Sequence, residues 1–178
     1  YGQKEFERKI YPYKVIYPYK RNLFRPDYPF GSLVEERING AVDINTNIPI
    51  DDIGKILKSL LQVPYKWGGK SSLGFDCSGL VQSVLNCLGF MIPRDAHDQF
   101  KFFDDFRIDI NDAQYGDLHF FGTKRKVNHV AFCSGDMGLI HAQGFVKEET
   151  LNAGDKKFNK KLLDNYLSTH SIRLKFDT

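Results

Sequence analysis

Along this chain, hydrophobic residues at helical spacing come first and strand-like runs come afterwards, and that order limits the fold. Ile53, Ile56, Leu57, Leu60 and Leu61 recur at helical spacing behind Asp51 and Asp52, and Pro64 stops them. A second helix is expected from Asp76 or Cys77 to Leu88, ended by Gly89, and a third from Asp95 to Phe103. Strand-like runs follow at 117–121, 128–134 and 138–142, then a helix over 159–170 and a last strand over 171–176. Helices first and strands afterwards predict an α+β domain with an antiparallel sheet.

The first 45 residues read differently. They hold a short echo, IYPYK at 10–14 and again at 16–20. Pro12, Pro18, Pro26 and Pro29 exclude a helix and central strands there, which leaves edge strands and turns. Two copies of a five-residue echo are too few for a solenoid. The expected organisation is a small β-rich arm over 1–48 ahead of a main domain over 49–178.

Composition sets outer limits. With 178 residues, 42% hydrophobic and 26% charged, the chain has the balance of a soluble globular protein long enough to bury a core. No run approaches the ~20 apolar residues of a membrane span. It begins with Tyr1 and shows no signal-peptide pattern, so the residues alone assign no compartment. The net charge of +3 is a weak bias. Much of it lies in the first 25 residues (Lys4, Arg8, Lys9, Lys14, Lys20, Arg21 and Arg25 against Glu5 and Glu7), a basic arm that reads as solvated surface or as a contact for an acidic polymer. No nucleic-acid reader motif accompanies it. Three Cys make no complete disulfide framework.

The candidate chemistry gathers at Cys77, which follows Gly-rich sequence and opens a helix. A helix N-terminus carries partial positive charge and unpaired N–H groups, which favour a thiolate, the nucleophilic form. The same N–H groups suit the oxyanion of acyl transfer, and Asp76 can cap the helix. Read alone, a single cysteine is more often a buried structural residue, which is the reading taken for Cys87 and Cys133. A thiol nucleophile needs a base, and the base an orienting partner. His97 and His170 lie in polar helical stretches and read as surface residues. His119, in DLHFF, points either into or out of a sheet. His129 opens the strand HVAF and His141 lies in LIHA. A tight turn over 134–138 would pair these runs and set the two histidines side by side, although hairpin histidines are as often structural. One Cys and two His also compose a zinc ligand set, but no CxxC or HExxH spacing occurs in the chain.

These residues lie in segments that resemble the NlpC-type peptidases, papain-like cysteine enzymes that cut bacterial cell-wall peptides. The segments are YKWGG (65–69), DCSGLVQSVL (76–85), IPRDAHDQF (92–100), GDLHFF (116–121), NHVAF (128–132) and LIHAQG (139–144), in the family's order, over about 50–178. The resemblance implies a papain-like fold, with helices packed on an antiparallel sheet. By position it makes Cys77 the nucleophile, His129 the base, His141 the polar residue that orients the base, and Tyr65 an aid to the oxyanion hole. Asp76 and Ser78 match positions that in some members bind the free amine and backbone of a short muropeptide, and Trp67 is expected beside them. Arg94 and Gln99 match a recurring pattern and read as structural.

The implied reaction is hydrolysis of a γ-D-glutamyl–diamino acid bond through an acyl-enzyme, with no metal or organic cofactor. The implied partners are peptidoglycan peptides, without nucleic acid. The implied setting is the cell envelope or the medium, with cytoplasmic recycling as the other setting. Many members carry SH3-like domains ahead of the catalytic part; residues 1–48 are short for a complete one and read as part of one or as a wrapping arm. Two alternatives keep the fold: an amidase or acyltransferase of the same superfamily, and a non-catalytic wall-binding module.

Overall fold

A computed structural model of the chain describes residues 12–16, 28–123 and 126–176. Strands β1 (Tyr13–Val15), β2 (Leu33–Val34) and β3 (Ala41–Asp43) form a small antiparallel sheet in the order β2-β1-β3. Val15, Val34 and Ala41 make a small apolar cluster of their own. Ile16 and Phe30 instead join the main core. The Phe30 N–H donates to Ser72 Oγ (2.8 Å), and its ring meets Phe75 edge-on at 6.2 Å. Packing therefore runs across the expected division at residue 48. Most of the basic arm and of the sequence echo lies outside the described residues.

Helix α1 (Ile53–Ser59) buries Ile53, Ile56 and Leu57. It stops short of Leu61, and Gln62 adopts φ 70° as the chain turns away. The hairpin β4 (Lys70–Ser71) and β5 (Gly74–Phe75) leads into α2 (Cys77–Cys87). Asp76 caps α2 by accepting from the Gly79 N–H (2.7 Å). At the other end Gly89, at φ 93°, donates to Asn86 O, and the Phe90 N–H donates to Leu85 O (2.9 Å). That pair of bonds closes the helix as a Schellman motif, which needs a left-handed residue where glycine stands. Helix α3 (Ala96–Phe102) follows.

The remaining strands are β6 (Arg107–Ile108), β7 (Leu118–Thr123), β8 (Lys126–Gly135), β9 (Gly138–Gln143), β10 (Phe145–Thr150) and, after helix α4 (Lys160–Asp164), β11 (Tyr166–His170); helix α5 (Ile172–Phe176) ends the described chain. Six strands build one antiparallel sheet in the order β10-β9-β8-β7-β11-β6. Leu80, Val81, Val84 and Leu85 of α2 pack with Leu118, Phe120, Val130, Phe132 and Ile140 in the main core. Phe121, Ala131, Leu139, Leu151 and Leu162 form a second cluster. The architecture is the expected α+β papain-like one. Among the described residues no helix is long and apolar enough to cross a membrane.

Three sequence expectations are corrected. The helix expected over 159–170 is only Lys160–Asp164; the chain then becomes β11, which pairs with the free edge of β7. Ladder hydrogen bonds and an aromatic, β-branched run (Tyr166, Thr169) outweigh helical spacing there. His170 is consequently buried rather than on the surface. Its Nδ1 lies 2.8 Å from Phe103 O, and its ring packs on Phe100 and Phe120. The last strand expected over 171–176 is helix α5. Ile172 and Phe176, four apart, share a face as helical geometry allows, Phe176 stacks on Phe90 at 4.0 Å, and Asp117 Oδ1 accepts from the Ile172 N–H.

Candidate active site

The WGG and DCSG segments interlock before any chemistry is considered. A Cβ on Gly79 would overlap the Gly69 carbonyl oxygen, and one on Gly69 would overlap the Gly74 carbonyl. The Asp76 N–H donates to that same Gly69 oxygen (3.2 Å). Asp76 Oδ2 accepts from the Gly68 N–H (2.8 Å) and from Arg94 Nη2 (2.6 Å), and Arg94 Nη1 also reaches Ser78 Oγ (2.9 Å). Buried Gln99 donates to Ser78 O and Pro93 O, both at 3.0 Å. Arg94 and Gln99 thus tie the start of α2 to the segment before α3, while Asp76 is a helix cap and an ion-pair partner together. Substituting Gly79→Ala forces backbone apart at this junction and is expected to cost about 2–3 kcal/mol, as over-packing does. Differential scanning calorimetry checks this, with a Tm fall of roughly 4–12 °C at this chain length; an unchanged Tm would refute the interlock.

Cys77 stands at the start of α2, half-buried, on a cleft of about 810 Å³. The cleft is lined on one side by Tyr65, Trp67, Asp76, Cys77 and Ser78 and on the other by Asn128, His129 and Ala142. Every residue that the sequence placed in the site lines this cleft except His141, which lies directly behind His129. Tyr65 is held by its backbone: its N–H donates to Gly144 O (2.8 Å), and it bridges to Phe75. Trp67, 87% exposed, stands at the rim.

His129 is the fourth residue of β8 rather than its first. A register shift opposite Phe121 and Gly122 precedes it. Strict alternation would place Val127 and His129 on one face, but Val127 packs in the main core together with Val130. The bulge breaks the alternation and re-aims His129, a common use of bulges beside functional sites. Between β8 and β9, Asp136 and Met137 both adopt positive φ with Gly135 opposite Gly138, the two-residue turn whose twist suits a hairpin. A register shift between Cys133 and Gly135 then pairs Cys133 with Leu139 and Phe132 with Ile140, and in that register His129 Nε2 meets His141 Nδ1 at 2.8 Å, with the rings edge-to-face at 5.0 Å between centroids. At that separation the two nitrogens share a proton and leave no room for a metal ion between them. His141, fully buried, places Nε2 2.8 Å from Glu149 Oε2.

Burial pushes the His129 imidazole down to about 3, with the neighbouring His141 adding to the effect and Glu149 opposing it. Burial also lowers His141, against its hydrogen bond to Glu149. The Cys77 thiol is raised by burial and by Asp76, while N–H groups of Val130, Ser78 and Cys77 itself pull the other way. Burial thus works against the thiolate expected from the helix start, and it disfavours the charged form of both the thiol and the imidazole. Tyr65 is raised by burial and by Cys77 and Asp76, so it keeps its phenolic proton as a donor.

The other singled-out residues lie elsewhere. His97 is exposed at the cleft edge. His119 is fully buried, with Nδ1 2.8 Å from Thr169 Oγ1. Cys87 and Cys133 are buried, as read. Sequence reasoning missed Glu149, Lys147 and Asn159, which surround the far end of His141. Only the Gly144 turn hinted at them, since it folds β10 back onto β9.

A helix bundle on an antiparallel sheet, with a half-buried cysteine at a helix start across a cleft from a histidine pair, defines the papain-like class. Within it, residues 62–166 match the NlpC/P60 family, and the chain belongs to that family. A gamma-D-glutamyl-L-lysine dipeptidyl-peptidase of Bacillus subtilis strain 168 is 30% identical over 144 residues, covering 79% of this chain and 48% of the relative. One of Bacillus cereus ATCC 10987 is 39% identical over 95 residues, covering 52% of this chain and 28% of the relative. The crystal structure of a NlpC/P60 family protein from Bacillus cereus ATCC 10987 superposes with a TM-score of 0.65 at 28% identity, over 79% of this chain and 49% of that one. The chain spans less than half the length of each of these proteins.

Proposed function

We propose that this chain is a cysteine peptidase that hydrolyses γ-D-glutamyl–diamino acid bonds in peptidoglycan peptides. The observation that carries the proposal is the cleft that brings Cys77 and the hydrogen-bonded His129–His141 pair together. The names of the two Bacillus relatives point to the bond. In the proposed reaction, the Cys77 proton passes to His129 as Sγ attacks the γ-carbonyl carbon of D-Glu. The Cys77 N–H and the Tyr65 hydroxyl stabilise the oxyanion. His129 returns the proton to the departing amine, leaving a thioester, then takes a proton from water as the water attacks. Because burial disfavours both the thiolate and the imidazolium, proton transfer accompanies attack in this reading rather than preceding it.

Trp67, Ser78 and Asp76 are proposed to contact the peptide. The Asp76 carboxylate already holds Gly68, Gly79 and Arg94, so a peptide amine that binds there shares it with Arg94. The segment over 1–48 is proposed as an arm of the catalytic unit, and the setting as the cell envelope or the medium. Among the described residues, the cleft is lined only from Tyr65 onward. Mass spectrometry of digests of free L-Ala-γ-D-Glu-L-Lys and of intact sacculi tests the bond and reads the access. Cleavage of the free peptide at the γ-D-Glu bond is expected, and cleavage elsewhere would overturn the proposal. Cleavage of sacculi as well would mean an open cleft, and cleavage of the free peptide alone a closed one.

A further inference from the structure

We propose that Glu149 is a positioning residue that, through His141, sets which nitrogen of His129 carries the proton and so keeps His129 Nδ1 free to take the proton of Cys77. The inference rests on the reading of Cys77 and His129 as nucleophile and base, and adds a member that neither the motifs nor the relatives' names supply.

A neutral imidazole has one N–H and one bare nitrogen, whereas an ionised carboxylate only accepts. Glu149 Oε2 lies 2.8 Å from His141 Nε2, so that nitrogen carries the hydrogen. His141 Nδ1 is then bare and accepts from His129 Nε2 across 2.8 Å. His129 Nδ1, the remaining nitrogen, is left bare. Each link is forced by the one before it, and the carboxylate starts the sequence. Without that acceptor the reversed chain is equally satisfied. His141 Nδ1–H would donate to His129 Nε2, and His129 Nδ1 would carry a hydrogen and be unable to act as a base.

The carboxylate is itself held in place. Asn159 Nδ2 donates to Oε2 (2.7 Å) and Lys147 Nζ lies 3.0 Å from Oε1. The Asn159 amide is not free to turn over, because its Oδ1 caps α4 by accepting from the Leu162 N–H (3.0 Å). In the β9–β10 ladder Lys147 stands opposite His141 and Glu149 lies two residues on, so all three share a face. Neighbouring Glu148 is engaged by Lys157 (2.9 Å). Burial raises the Glu149 carboxyl, but hydrogen bonds from His141, Asn159 and Lys147 outweigh that and hold it at about 2, so it is ionised wherever His129 is neutral. When His129 takes a proton during the reaction, the same carboxylate stabilises the charge across His141.

The test compares the full chain with Glu149→Ala and Glu149→Gln. The amide that Glu149→Gln introduces keeps an oxygen able to accept from His141 but carries no charge, so E149Q separates hydrogen-bond acceptance from charge. ¹⁵N NMR reads the tautomers of His129 and His141, alkylation of Cys77 by iodoacetamide reads base strength without any peptide, and kcat and KM are taken on L-Ala-γ-D-Glu-L-Lys. The wild type is expected with hydrogen on Nε2 of both histidines. E149A is expected to mix tautomers, slow Cys77 alkylation at pH 7 at least several-fold and lower kcat roughly 10–100-fold with KM within twofold. E149Q is expected to keep the tautomers and lose less. Unchanged tautomers in E149A, with alkylation and kcat within twofold of wild type, overturn the proposal. If E149A does not fold, the wild-type tautomers decide: hydrogen on Nε2 of both His129 and His141 supports the proposal, and hydrogen on Nδ1 of either ring overturns it. A wild type that leaves the peptide intact refutes the proposed substrate, while NMR and alkylation still decide the role of Glu149.

Discussion

Replacing Cys77 by Ala is expected to abolish the proposed cleavage of γ-D-glutamyl peptides, with a fall in kcat/KM on the order of 10⁴-fold or more. No other described cysteine can substitute, because Cys87 and Cys133 are buried and neither lines the cleft. Cys77→Ser is expected to fare almost as badly. Its hydroxyl is a far weaker acid than a thiol, and His129, held neutral by burial, is too weak a base to remove its proton. The fold should tolerate both changes, since Cys77 is half-buried at the first turn of α2 and the cap comes from Asp76. Product mass spectrometry with thermal melts of each variant checks the claim. Full activity in a folded Cys77→Ala protein would remove Cys77 from the mechanism. Wild-type binding of muropeptide without turnover would favour the wall-binding alternative.

Acid is expected to destabilise the protein well above the range where carboxylates titrate, because His119, His129, His141 and His170 are all lowered by burial. His119 is the clearest case. Burial lowers it to about 4 against a backbone hydrogen bond to Gly138, and the ring is fully enclosed. In the unfolded chain it takes a proton near 6.5, so between roughly 6.5 and 4 only the unfolded state is protonated. A depressed folded pKa means the contribution is complete above the unfolded value and is lost as pH falls towards the folded one. For His119 alone that is about 3 kcal/mol, and His129, His141 and His170 act with the same sign. Glu149 adds a second window, its contribution disappearing between its ordinary value of 4.5 and about 2. Melting curves from about pH 7 to about pH 4 should show Tm falling steadily below about 6.5, and His119→Gln should flatten part of that slope. A Tm constant down to about pH 4.5 would contradict the burial of these rings in the folded state.

The same histidines show where sequence reading succeeds and where it fails. Helix α2 was legible because Asp76, the apolar spacing from Leu80 to Leu85 and Gly89 all act locally, as cap, buried face and stop. The β8–β9 hairpin was legible from its short turn and apolar runs, and with it the neighbourhood of His129 and His141. His170 was misplaced because the spacing over 159–170 fits a helix as well as a strand. The choice fell to β7, which offers an unpaired edge far away in the sequence. Strand β10 was missed because Lys147, Glu148 and Glu149 look like solvated charge; their alternate faces acquire meaning only once β9 lies beside them.

By itself the sequence determined the local chemistry: a cysteine at a capped helix start behind a Gly-rich stretch, and two histidines on adjoining strands. Those features depend on residues a few positions apart, so spacing is enough to read them. Tertiary structure decided the rest. It surrounded the thiol and the imidazoles so that burial opposes their charged forms, against the thiolate that the helix end alone favours. It also laid a third strand beside His141 so that Glu149 meets it. Desolvation and strand pairing both depend on what the rest of the chain places around a residue, and no short stretch of sequence carries that information.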